Sequence, residues 1–161
     1  MPDGHFQWNT VEIARALKIK ESDVKLYFTD GRRVSFLLER RLAYEFFKGT
    51  VAESEGAGFD IIDSEGNKWE ARSITKGGVY FSPSYMVGSS RHFEERGFLE
   101  KLGEVRGYIL SDVEEFPDVP FWIVDAKQVL EWWKAGQLGT NSKITMEKAL
   151  ELIKSVAGNK L

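Results

Sequence analysis

The segment GFDIIDSEGNKWEARSIT, residues 58–75, constrains the fold of this chain more than any other stretch. Two short runs, 58–62 and 68–75, carry the apolar and aromatic residues of strands. Between them lies DSEGN, whose Asp, Ser, Gly and Asn suit a tight turn. The spacing predicts two neighbouring antiparallel strands. Side chains alternate across a strand, so Glu70 and Arg72 share one face while Trp69 and Ala71 point to the other. A hairpin then brings Asp60 beside Glu70. Asp60 stands among apolar residues, where an unpaired carboxylate is costly.

Two carboxylates at hydrogen-bonding range repel each other unless a cation lies between them. A hard divalent ion such as Mg²⁺, which prefers oxygen ligands and keeps several waters, suits that position. Such an ion polarises a phosphate oxygen and lowers the pKa of a bound water. A cation two residues beyond Glu70 would stabilise charge developing on phosphorus or hold the attacking water. The bland alternative is an exposed hairpin face with a surface ion pair, worth ~0–1 kcal/mol.

The rest of the chain reads as mixed α and β. TVEIARALK, residues 10–18, places Val11, Ile13, Ala14 and Leu17 on one helical stripe with Thr10 as N-cap. VKLYFT (24–29) and RVSF (33–36) read as strands joined at Asp30-Gly31, a dipeptide that favours hairpins. Residues 36–48 form an amphipathic helix closed by Gly49. A third strand is expected at 78–82, a helix at 92–105, and strands at 107–111 and 120–124. Asp125 and Gln128 suggest a capping box for a helix ending at Gly136. A last helix over 146–156 is capped by Thr145 and stops near Gly158. The expected class is α/β, an α+β mixed sheet. The core order is helix, three strands, helix, strand, with an added N-terminal helix and hairpin and C-terminal helices.

A length of 161 residues fits one domain. Within it, 36–124 is expected to form the core, 1–35 an accessory and dimerisation part, and 125–161 the C-terminal helices. The chain has no cysteine, which excludes disulfides, thiolate metal sites and a cysteine nucleophile. No stretch approaches the ~18 apolar residues of a membrane span. MPDGHFQWNT lacks the cationic start and apolar run of a signal peptide, so a cytoplasmic protein is expected. A net charge of -3 sits awkwardly with DNA binding. Nucleic acid senses local patches, however, and catalytic carboxylates push the total negative.

The hairpin resembles the active site of the PD-(D/E)XK restriction endonucleases, most closely the PvuII type. That type has Asp, nine residues, Glu, one residue, Lys and Ser-Ile; here stand Asp60, nine residues, Glu70, Ala71, Arg72, Ser73 and Ile74. Thr75-Lys76-Gly77 echoes the next positions of that type, and Asn141-Ser142-Lys143-Ile144 resembles its Asn-Pro-Lys-Ile segment. The two blocks cover about a fifth of the chain. The resemblance implies a sequence-specific, type II endonuclease acting on double-stranded DNA as a homodimer, with Mg²⁺ or Mn²⁺ as cofactor. Asp60 and Glu70 would be metal ligands, and Arg72 would take the catalytic lysine position. Ser82, Ser84, Tyr85, Arg91, Asn141 and Lys143 would lie toward DNA. Two departures stand out. Phe59 replaces the Pro of the family name, and Arg72 replaces lysine; arginine stays charged and hardly serves as a base.

Other residues have weighed roles. Glu39 and Glu45, on the helix before the hairpin, are possible accessory acids, as Lys76 is a possible accessory cation. A solvated helix face is the plainer reading of both acids. Arg40 and Arg41 fit phosphate or water equally. His92 reads as a helix-start residue, and with only His5 besides, a histidine-rich metal site is not expected. Trp132-Trp133 reads as core rather than a base-stacking platform. TVEIARALKIKESDV resembles the first part of a helix-turn-helix, but VKLYF reads as a strand, so dimerisation is the preferred role. A non-cleaving DNA-binding protein, a repair or recombination nuclease, and an acidic protein-interaction module are the competing functions.

Overall fold

A six-stranded mixed sheet forms the backbone of the computed structural model, which describes residues 1–54, 57–88 and 90–157. The elements in chain order are β1 (Gly4–Gln7), α1 (Thr10–Leu17), α2 (Glu21–Phe28), α3 (Gly31–Arg41), β2 (Thr50–Val51), β3 (Ile61–Ile62), β4 (Lys68–Ile74), β5 (Val79–Tyr80), α4 (Glu95–Glu104), β6 (Gly107–Asp112), β7 (Asp118–Asp125), α5 (Ala126–Lys134), β8 (Lys143–Ile144) and α6 (Met146–Ala157). The main sheet runs β1-β7-β6-β4-β3-β2, while β5 and β8 pair in a small sheet of their own. All pairings are antiparallel except β4 with β6. The expected α+β class with a mixed sheet is present.

The sheet is covered on both faces, which is why β6 is buried at every position. Glu70, Arg72 and Ile74 point to the side closed by α4, α5 and α6, where Phe81, Phe98, Tyr108, Leu110, Trp132 and Leu152 pack. Trp69 and Ile109 face the other side, packed with Phe6, Val24, Phe28, Val34, Leu38 and Leu42 from β1 and the first three helices. Trp132 is core and Trp133 packs against it, as expected.

Several local expectations are corrected. Residues 24–29 and 33–36 are not strands: they belong to α2 and α3. Val24 with Phe28, and Val34 with Leu38 and Leu42, are buried at helical spacing. Asp30 makes no hairpin; its carboxylate accepts the Arg32 and Arg33 N–H groups and caps α3. The helix therefore starts at Gly31, not at residue 36, and continues as a π-helical turn over Leu42–Phe46. Lys48, in the left-handed region at φ 50°, ends it one residue before Gly49.

Asn9, rather than Thr10, caps α1, and Asp125 forms no side-chain cap on α5. Thr145 does accept the Lys148 N–H and caps α6. The expected stop at Gly158 lies outside the described residues. The strand at 58–62 shrinks to Ile61–Ile62. Residues 78–82 contribute β5 to the small sheet, and Thr50–Val51 supplies the third antiparallel strand instead.

Candidate functional site

Asp63 locks the turn that positions the site. Its carboxylate accepts the backbone N–H groups of Glu65 and Asn67, the Asn67 amide and the Trp69 indole N–H. Ile61 then faces Trp69 across the ladder. Extending that register by one residue sets Asp60 opposite Glu70, and the Asp60 N–H donates to the Trp69 carbonyl at 2.9 Å. Asp60 thus lies just outside β3 rather than within a strand. Its Oδ2 accepts the Ala71 N–H at 2.8 Å.

Arg72 lies between the two acids. Its Nη1 is 2.5 Å from Glu70 Oε2 and 3.5 Å from Asp60 Oδ2. The guanidinium also donates to the carbonyls of Ala71 and Ser82, at 3.0 and 3.3 Å. The rings of Tyr80 and Tyr108 lie 5.1 and 6.0 Å from its carbon, within cation–π range. Nε is buried without a hydrogen-bond partner among the described residues. Burial disfavours the guanidinium charge, but Glu70 and then Asp60 outweigh it and raise the pKa, so Arg72 stays charged.

Lys101, on α4, forms an ion pair with Glu70 Oε1. The sequence reading missed it. A signal was there: Lys101 follows Phe98 by three residues and precedes Leu102, so it lies on the apolar stripe of its helix. A lysine buried to 7% exposure is rarely left unpaired. Glu39 comes from α3. Burial first, and then the charge of Asp60, push its carboxyl up to about 7, with Arg40 and Arg72 opposing. Burial and the Glu70 charge also raise Asp60, while Arg72 and the Ala71 N–H pull the other way. Asp60 and Glu70 thus share Arg72, Glu70 also holds Lys101, and Glu39 feels the charges of Asp60 and Arg72.

That donor set suits a hard cation. The acids supply only oxygen, and Asp60 Oδ1 has no donor among the described residues. The fit is not ready-made: among the described residues, no three acidic, histidine or thiol side chains converge on one metal position.

The remaining expected site residues divide into two groups. Ser82 is buried; its hydroxyl donates to the Asn141 carbonyl at 3.1 Å and meets the Ser142 hydroxyl. Residues flanking both strands of the small sheet are therefore brought together at one of its ends, next to the carbonyl that holds Arg72. Ser84 and Tyr85 come next on an exposed 3₁₀ turn, and Arg91 ties that loop by donating to the Ser84 and Val87 carbonyls. Asn141 and Lys143 are exposed, with Asn141 Oδ1 accepting the Lys143 N–H.

Glu45 is not brought to the site: it is exposed and paired with Arg41, which also donates to the Gln7 carbonyl. Arg40 stacks on Phe36. Lys76 lies at an exposed turn, its N–H bonded to Glu114. His92 is exposed ahead of α4, and His5 on β1 faces Asp118.

No protein-family model matches this chain, and no curated protein does.

Proposed function

We propose that this chain is a Mg²⁺-dependent endonuclease that hydrolyses phosphodiester bonds of double-stranded DNA at specific sites, as a type II restriction enzyme does. The observation that carries this reading is Asp60 opposite Glu70 with Arg72 between them, at 2.5 Å from one and 3.5 Å from the other. The order α3, β2–β4, α4, β6, with β5 of the small sheet between β4 and α4 and with β6 parallel to β4, supports a restriction-endonuclease-like core.

Asp60 and Glu70 would hold Mg²⁺ or Mn²⁺, with Glu39 as the accessory acid. When bound, the ion supplies polarisation of a phosphate oxygen and a more acidic water. The rest is done by the chain. Arg72 is held by two carbonyls and two carboxylates, so its charge is preorganised to stabilise the phosphate as negative charge builds. It does not accept a proton. Ser84, Tyr85, Arg91, Asn141 and Lys143 contact DNA, and Ser82 fixes their segments to each other. A homodimer gives two sites for a two-fold symmetric sequence. A cytoplasmic location belongs to this reading; among the described residues, no helix is long and apolar enough to cross a membrane.

Plasmid cleavage tests it. Discrete fragments are expected with Mg²⁺ or Mn²⁺, and Asp60→Ala should abolish them. Absence of fragments with either ion, together with an Asp60→Ala variant that behaves as wild type, would end the enzyme reading. A second reading, a DNA-binding protein that keeps the architecture without cutting, draws on Arg72 being already engaged by both acids. Arg72→Lys separates the two: cleavage appearing only in the variant favours the second.

A further inference from the structure

This inference rests on the metal-centred reading above. Both oxygens of Glu70 are engaged by cations of the chain itself, Arg72 at Oε2 and Lys101 at Oε1. A divalent ion held by Asp60 and Glu70 would draw on one of those oxygens, and its charge would favour withdrawal of one of the two cations. Arg72 is fixed through the Ala71 and Ser82 carbonyls as well as both acids. Lys101 is not: Glu70 is the only acid within ion-pair distance of it among the described residues.

Lys101 also has somewhere to go. Its ammonium and the Glu104 carboxylate, one helical turn on, both lie beside Gly58. They stand 4.0 and 3.9 Å from the point where a Cβ on that glycine would sit. Glu104 is exposed and makes no ion pair among the described residues. A flexible four-carbon stem lets an ammonium move between two such seats, and repulsion by a divalent charge in a desolvated site drives the move.

We propose that Lys101 is a resident cation that occupies the metal's place on Glu70 Oε1, and that binding of Mg²⁺ or Mn²⁺ transfers its ammonium toward Glu104. The metal therefore competes with an internal ammonium, and wild-type affinity is lower than the bare acids would give. Glu104 is a positioning residue for this exchange.

The test is Mn²⁺ binding to the full chain, monitored by the electron paramagnetic resonance signal of free Mn²⁺. Lys101→Met should bind at least tenfold more tightly than wild type, and adding Asp60→Asn should remove the gain. Glu104→Gln, at an exposed position, should bind at least threefold more weakly. A folded Lys101→Met protein with wild-type or weaker affinity overturns the proposal. If that variant does not fold, unchanged affinity in Glu104→Gln overturns it instead. Wild type and Lys101→Met binding Mn²⁺ equally well sinks only the role of Lys101. Saturable binding in neither sinks the metal-centred reading together with it.

Discussion

Replacing Glu39 by Gln should make the metal-free protein more stable, by an amount that grows as pH rises from about 4.5 and is complete above about 7. The folded state holds this carboxyl at about 7, against an ordinary value of 4.5, because burial and then the Asp60 charge disfavour the anion. Between those two values the unfolded chain has released its proton and the folded chain has not. Stability therefore falls as pH rises through this window, and the penalty is complete above about 7. The full interval corresponds to a ceiling of ~3 kcal/mol. Glu39 is only partly buried, and solvent screening reduces this to ~1–2 kcal/mol.

Glutamine keeps the shape and removes the titration. In urea unfolding with chelator present, Glu39→Gln should match wild type near pH 4 and exceed it by ~1–2 kcal/mol near pH 8. For a chain of this size the gain at pH 8 amounts to a few degrees in Tm, on the order of 2–4 °C per kcal/mol. A stability difference independent of pH, or a variant weaker than wild type at pH 8, would refute the reasoning. Glu39 would then be an ordinary solvated helix residue.

Two further outcomes are expected at the site. Glu70→Ala strands Arg72 and Lys101 as buried cations sharing too little negative charge, and should cost ~3–5 kcal/mol in chelator, read from the urea midpoint; a loss below ~1 kcal/mol would mean that water enters the site freely. Lys143→Ala should weaken duplex binding to specific and unrelated sequences alike and lower the slope of log affinity against log salt by about 1, measured by fluorescence anisotropy. An unchanged slope would take Lys143 off the DNA surface.

The hairpin of 58–75 was legible because alternation and turn chemistry agree there, and the structure adds the Asp63 carboxylate, which accepts four donors of the turn. Once that register is set, Asp60, Glu70 and Arg72 fall into place. The N-terminal part was misread because Asp-Gly serves two purposes. The same pair opens a tight hairpin or caps a helix, and only the burial of Val24, Phe28, Val34 and Leu38 at helical spacing decides.

Strand β2 is two residues long and carried no periodic signal. Strand β5 was recognised as extended, but its partner β8 lies more than sixty residues on, and local pattern does not specify long-range pairing. Lys101 escaped because a lysine in a helix is ordinarily solvated; its place on the stripe of Phe98 and Leu102 was the available clue. Glu39 was named but could not be separated from Glu45 until the tertiary fold distinguished a residue near Asp60 from one paired with Arg41 at the surface.

The Ser82 bridge has a consequence for evolution and engineering alike. One end of that residue, its carbonyl, steadies the guanidinium; the other, its hydroxyl, fastens the loop carrying Asn141. On the proposed function, exchanging either loop to graft a new base preference would therefore reset the chemistry as well, and selection for altered recognition should recover compensating changes around position 82.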